Sequence, residues 1–114
     1  MASIPTCKIT KDLYKGVKGR KAHVKCLQRT LNNWRKNGAP YVVSGKRPSE
    51  IPVLAVDGNF GSLTEKVVRD FQRARLNVRY NTEAPYKHPL IDGYVGPKTR
   101  RWLKKFIPVR YVLG

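Results

Sequence analysis

A short motif that occurs twice constrains the fold of this chain more than any other feature. DGNFGSLT begins at Asp57, and DGYVGPKT begins at Asp92, 35 residues later. The aspartate can accept hydrogen bonds from backbone N–H groups further on, and the glycine after it permits positive φ. Each copy therefore predicts a tight turn that leads into a helix. We assign structural turn or cap roles to the residues Asp57, Gly58, Gly61, Asp92, Gly93 and Gly96.

Apolar residues follow a helical period in three places. Val24, Leu27 and Leu31 have the spacing of one helix face, and they predict a helix over about residues 22–36. Two further helices are predicted over about 62–75 and 97–106. We expect the three helices to share one core that contains Leu27, Leu31, Trp34, Val68, Phe71, Trp102, Leu103 and Phe106.

Prolines and glycines fill the segments between these helices. Residues 39–56 and 76–91 are therefore predicted to be long irregular loops. The fold class that follows is mainly α, a compact three-helix domain over residues 13–106 with a basic N-terminal tail over 1–12. Residues 107–114 form a C-terminal extension in which apolar and polar residues alternate near the end, and this extension could add a strand to a partner.

Three segments, in this order along the chain, resemble the peptidoglycan-binding domain family of cell-wall hydrolases and phage lysins. The family's opening pattern, G..G..V..LQ..L, matches Gly16, Gly19, Val24, Leu27, Gln28 and Leu31. Its later patterns, DG.FG..T..AV..FQ and DG.VG..T...L, match the two copies of the repeat together with Thr64, Phe71, Gln72, Thr99 and Leu103. The match covers about residues 13–106.

This resemblance implies a compact three-helix fold and non-covalent attachment to peptidoglycan. It argues for the fold more strongly than for the ligand, because function resides in sites carried by a fold. Gln28 and Gln72 are the glutamines of the matched patterns, and we expect them to brace loops rather than to touch glycan.

The net charge widens the range of partners. The chain has 24 Lys and Arg residues against 7 acids, a formal net charge of +17. Such a surface attracts polyanions through long-range attraction and counterion release. Charge alone does not choose among an anionic wall polymer, nucleic acid and acidic protein neighbours. The ligand-contact residues that we predict lie beside the DG turns or on the helices that these turns start, and they are Arg69, Arg73, Tyr94, Arg100 and Arg101.

Catalytic chemistry is poorly supported by this sequence. The two histidines are His23 and His88, whereas a zinc hydrolase normally needs three protein ligands and a base. His23 and Cys26, with His88 or Cys7, could form a zinc site, but their spacing is loose. We therefore predict no enzymatic activity, no catalytic residue, no metal and no cofactor. Cys7 and Cys26 could form one bridge, and we expect them to be reduced thiols.

The leading hypothesis is a non-catalytic module that binds peptidoglycan or an associated anionic wall polymer. The alternatives are a structural subunit of a larger assembly such as a phage virion, and a non-specific nucleic-acid binder. The N-terminal residues lack the apolar stretch of a signal peptide, and no apolar run is long enough to span a membrane. We expect a protein that is made in a cytoplasm and acts at a cell wall or within a virion.

Overall fold

The computed structural model describes residues 2–38, 50–76 and 89–112. Helix α1 is Lys21–Asn33 and continues into a π-helical turn, Trp34–Gly38. Helix α2 is Ser62–Leu76. Helix α3 is Pro97–Leu103 and continues into a 3-10 turn, Lys104–Phe106. The predicted compact, mainly helical architecture is confirmed, with three helices among the described residues.

Aromatic rings join the three helices in the core. The Trp34 ring meets the Phe71 ring edge-on with centroids 5.2 Å apart, and Phe71 meets Phe106 in the same way at 5.8 Å. Each ring comes from a different helix or from the turn that continues it. Because such pairs contribute about 0.5–1.5 kcal/mol beyond the burial of their area, this row of rings holds the helices together.

Six of the eight predicted core residues are buried, while Trp102 and Phe106 are partly buried at the margin of the core. The sequence-based list omitted apolar residues that come from irregular segments, because helical periodicity cannot identify them. These residues are Ile9, Leu13, Ile51, Leu54, Phe60 and Val95. Of the predicted loops, residues 50–56 and 89–91 are described and contain no strand, while 39–49 and 77–88 lie outside the described residues.

The two ends of the described chain pair with each other. Strands β1, Ala2–Pro5, and β2, Val109–Val112, form an antiparallel two-stranded sheet. Just beyond β1, the backbone N–H and the hydroxyl of Thr6 both donate to the Pro108 carbonyl at 2.8 Å. Part of the predicted basic tail is therefore a strand, and the C-terminal extension pairs within the chain.

Cys7 and Cys26 form a disulfide, with their Cα atoms 5.7 Å apart. The expectation of two reduced thiols is therefore wrong. A sequence separation of 19 does not reveal how close two residues lie, and here the chain before α1 folds back along that helix. Cys26 is fully buried on α1, so the bond fastens the N-terminal segment to the core.

Candidate ligand-binding surface

A buried glutamine braces the first DG turn. Gln28, on α1, is 1% exposed, and its Nε2 donates to Asp57 Oδ1 and to the Asn59 carbonyl, both at 3.0 Å. Its Oε1 accepts a hydrogen bond from the Gly58 N–H at 3.0 Å. The Asn59 N–H donates to Asp57 Oδ1 at 2.9 Å, and this bond, followed by that of Gln28, lowers the pKa of Asp57.

Gln72, on α2, braces the second turn in the same way. Its Nε2 donates to Asp92 Oδ1, to the Tyr94 carbonyl and to Thr99 Oγ1, each at 3.1 Å. Its Oε1 accepts hydrogen bonds from the backbone N–H groups of Asp92 and Gly93 at 3.1 and 3.0 Å. The predicted bracing role of both glutamines is confirmed, and the repeat in sequence is also a repeat in hydrogen bonding.

The two glycines of each turn have different roles. Gly58 and Gly93 adopt φ of +79° and +74°, the left-handed region that favours glycine. Gly61 and Gly96 do not belong to the positive-φ glycines, and their carbonyl oxygens accept backbone hydrogen bonds from the first turns of α2 and α3. The first glycine of each copy therefore makes the turn, and the second caps the helix.

The chain before α1 contacts both DG turns. Leu13 exchanges two backbone hydrogen bonds with Val95, at 3.0 and 2.8 Å, and the Gly16 N–H donates to the Phe60 carbonyl at 2.9 Å. Leu13 and Val95 are both fully buried, so this bridge is anchored in the core. It brings the residues that flank Leu13 to the second turn.

Asp12 lies at the centre of a polar cluster beside that second turn. Its carboxylate accepts a hydrogen bond from the Tyr94 hydroxyl at 2.8 Å and forms an ion pair with the Arg100 guanidinium. Its backbone carbonyl accepts a hydrogen bond from Arg20 Nη1 at 2.6 Å. One short acidic side chain therefore connects the N-terminal segment, the second turn and α3.

The contacts of Asp12 shift two pKa values in opposite directions. The hydrogen bond from Arg100, followed by that from Tyr94, lowers the pKa of Asp12. The hydrogen bond to Asp12 raises the pKa of the Tyr94 hydroxyl, because the carboxylate stabilises the protonated phenol. At neutral pH the cluster therefore contains a carboxylate, a neutral phenol and two guanidinium groups.

Two exposed tyrosines stack beside this cluster. The rings of Tyr14 and Tyr94 have centroids 5.6 Å apart and planes 2° from parallel, and the residues are 42% and 40% exposed. We call this pair the aromatic platform. Because Asp12 holds the Tyr94 hydroxyl, the platform has a fixed orientation and offers an apolar surface to a flat ligand face.

A cleft of about 390 Å³ lies between the N-terminal segment and α3. The described residues that line it include four bases and no acid, and we call it the basic cleft. Arg100 joins it to the aromatic platform, because this arginine both lines the cleft and pairs with Asp12. The lining residues are Lys8, Ile9, Thr10, Pro97, Arg100, Arg101, Lys104 and Ile107.

A second cavity, of about 200 Å³, shares Pro97 with the basic cleft in its lining. Its described lining includes Gln72 from α2, Tyr94 from the second turn and Trp102 from α3. The ammonium of Lys98 lies 5.6 Å from the centroid of the Trp102 ring. The partial burial of Trp102, which we had predicted in the core, places this indole on the wall of a surface cavity.

The structure brings three of the five predicted ligand-contact residues together. Tyr94 belongs to the aromatic platform, while Arg100 and Arg101 line the basic cleft. The other two lie on α2. Arg69 is exposed and forms an ion pair of 3.4 Å with a glutamate one turn earlier, and Arg73 is half-buried.

Sequence reasoning did not identify Asp12, Tyr14 or Lys8 as part of this surface. A signal for Asp12 was present, because it is the only acid among the first 49 residues. An isolated carboxylate in such a basic segment is expected to form ion pairs or hydrogen bonds with the Lys and Arg side chains around it. Tyr14 and Lys8 had no comparable signal, since only the folding of the N-terminal segment against α3 gives them their neighbours.

The zinc site that we considered lacks its thiolates, because both cysteines are in the disulfide. His23 Nδ1 accepts a hydrogen bond from the Thr10 N–H at 3.4 Å, and His88 lies outside the described residues. Within residues 2–38, 50–76 and 89–112, no three His, Cys, Asp or Glu side chains are grouped closely enough to hold a metal ion.

None of the described helices combines the length and the apolar character that crossing a membrane requires. Comparisons of the chain with protein-family models, with curated proteins and with solved structures find no significant match.

Proposed function

We propose that this chain is a non-catalytic module that binds peptidoglycan or the anionic polymer associated with it. The observation that carries the proposal is the junction at Arg100, where the aromatic platform of Tyr14 and Tyr94 meets the basic cleft. Peptidoglycan presents a matching pair of features, sugar rings with apolar C–H faces and peptides with carboxylates. An aromatic surface suits the first, and a guanidinium that can form charge-assisted hydrogen bonds suits the second.

Two further observations support this function. Buried Gln28 and Gln72 brace both turns of the pattern that resembles the wall-binding family, so the side chains beside the turns are held in place. The disulfide between Cys7 and Cys26 is a kind of bond that persists in oxidising surroundings. Action at a cell wall or within a virion is therefore part of the proposal.

The test is co-sedimentation with purified sacculi at about physiological ionic strength, where exposed charges are screened beyond about 8 Å. A variant with Arg69, Arg73, Arg100 and Arg101 changed to Gln should lose much of its binding. A control variant with the same charge change removes four exposed bases that line neither cavity, Arg29, Lys36, Lys66 and Arg75. The control should bind like the parent, and both variants should keep their helical circular dichroism.

The same assay separates the classes of function. Equal binding by the two quadruple variants would mean that the arginine positions are solvated surface. Binding to DNA and to wall polymers alike, with affinity that falls steeply as salt rises, would favour a non-specific polyanion binder. Failure to bind sacculi or DNA would favour an assembly subunit. Loss of turbidity in sacculi treated with pure protein, with or without zinc, would contradict the non-catalytic proposal.

A further inference from the structure

The basic cleft has more positive charge than a peptidoglycan carboxylate requires. Arg100 already pairs with Asp12, whereas no acid in the described part of the chain forms an ion pair with Lys8, Arg101 or Lys104. These three bases face one cleft from two sides, Lys8 on the N-terminal segment and the other two on or just after α3. Like charges held together in this way repel one another, and a bound polyanion would remove that repulsion.

We propose that the basic cleft binds the phosphodiester backbone of a polyol-phosphate wall polymer. This inference rests on the proposed function and names a second ligand for the same surface. A phosphodiester carries its charge on two non-bridging oxygens, so bases on both walls of a cleft can bind it at once. Arg101 offers the planar, bidentate donor group that matches phosphate oxygens, and Lys8 and Lys104 add point charges.

The apolar part of the cleft fits the rest of such a polymer. Ile9, Pro97 and Ile107 line the same cleft and provide an apolar surface for the carbon chain that separates successive phosphates. The volume of about 390 Å³ admits a single extended chain. A nucleic-acid duplex presents its phosphates on a broad convex surface. Such a surface reaches only those lysine and arginine side chains that stand at the rim of the cleft. The cleft therefore favours a thin, flexible polyphosphodiester.

The N-terminal wall of the cleft is fixed before any ligand arrives. The disulfide fastens Cys7, which precedes Lys8, to α1. The Thr10 N–H donates to a histidine on α1 at 3.4 Å, and Thr6 donates twice to the Pro108 carbonyl beside the opposite wall. A cleft that is already held open loses less entropy on binding than a mobile segment would.

The experiment uses the full chain with soluble poly(glycerol phosphate), measured by titration calorimetry over a range of salt. The variant Arg101→Gln/Lys104→Gln should bind at least about tenfold more weakly than the parent, because two charge-assisted contacts are lost. The slope of log affinity against log salt should fall by about 1.4, since each lost phosphate contact of a single strand contributes about 0.7. The control Arg29→Gln/Lys36→Gln makes the same charge change on α1 and the turn after it, away from the cleft lining, and should bind like the parent.

Sacculi stripped of phosphodiester polymers by hydrofluoric acid distinguish this inference from the proposed function. The variant Lys8→Gln/Lys104→Gln keeps Arg100 and Arg101 and should sediment with stripped sacculi as well as the parent does, because peptidoglycan itself uses the aromatic platform and these two arginines. If the parent does not sediment with stripped sacculi, the peptidoglycan proposal fails while the cleft can still be tested with the soluble polymer. Equal binding of the soluble polymer by the cleft and control variants would overturn the cleft assignment. Tighter binding of single-stranded or duplex DNA than of poly(glycerol phosphate) would assign the cleft to nucleic acid instead.

Discussion

Replacing Gln72 with leucine tests whether the glutamine braces hold the turns. Gln72 is 1% exposed. Leucine has a similar size, but its side chain neither donates nor accepts hydrogen bonds. The substitution removes every hydrogen bond that the side chain makes to the second turn. Water can satisfy the exposed groups of that turn, but it cannot reach the Gly93 N–H or the Thr99 hydroxyl as easily, because both of these residues are buried.

The expected loss follows from these two groups. A buried polar group left without a partner lowers the free energy of unfolding by about 1–3 kcal/mol, so the Gly93 N–H and the Thr99 hydroxyl together lower it by about 2–6 kcal/mol. The additional apolar burial of leucine offsets about 1 kcal/mol of this. We therefore expect Gln72→Leu to lower the free energy of unfolding by about 1–5 kcal/mol, which lowers Tm by at least about 4 °C in a domain of this size.

Urea denaturation followed by circular dichroism measures this change, with Gln28→Leu as the matched variant on the first turn. The Gln28 variant should lose less stability, because Gly58 is half-exposed whereas Gly93 is buried. Gln72→Glu keeps the shape but places a carboxylate beside Asp92, so it should destabilise more at pH 7 than at pH 4. A Gln72→Leu protein within about 0.5 kcal/mol of the parent would refute the bracing argument, because that is the usual range of surface substitutions.

Three further predictions concern stability. Changing Cys7 and Cys26 together to Ala should lower the free energy of unfolding by about 3 kcal/mol, which is the chain-entropy value for a loop of 19 residues. Denaturation of the oxidised parent and of the variant measures this change, and equal denaturation midpoints would contradict the prediction. Phe71→Ala should lower the free energy of unfolding by about 3–5 kcal/mol in the same assay, because the Phe71 ring lies between those of Trp34 and Phe106. A loss below about 1 kcal/mol would mean that the core collapses into the cavity that the ring leaves. The stabilising contribution of the Asp12 carboxylate should be fully present above its ordinary pKa of 3.8 and should disappear as the pH falls through its lowered folded-state pKa. The Tm values of the parent and of the Asp12→Asn variant, measured by thermal melts across that acid range, should converge at the lowest pH. A difference in Tm that does not change with pH would exclude this linkage.

The helices were predictable because their signals are local. The spacing of Val24, Leu27 and Leu31 is a property of one segment, and the DG motifs mark where α2 and α3 begin. The bracing glutamines were also predictable, since each stands at a fixed place in the pattern that resembles the family. In these cases neighbouring residues contain the information that the fold uses.

The candidate site was only partly predictable because it depends on distant parts of the chain. Tyr94 and Arg100 acquire their role from Asp12, which is more than 80 residues away in sequence. The disulfide was missed for the same reason, since the return of the N-terminal segment along α1 has no local signal. Arg69 and Arg73, on α2, share the positive charge of the site, but nothing in their own segment showed that they do not line the cleft.

The disulfide also determines how this protein would respond to mechanical force. A pull on β1 from its N-terminal side would first peel the strand from β2, breaking the hydrogen bonds one after another. The tension would then pass from Cys7 directly to Cys26, bypassing the 18-residue segment between them. That segment, which would span about 65 Å if extended, would remain slack, and it includes Lys8, Asp12 and Tyr14. A molecule held under tension would therefore keep this part of the candidate ligand-binding surface unloaded until α1 itself gives way.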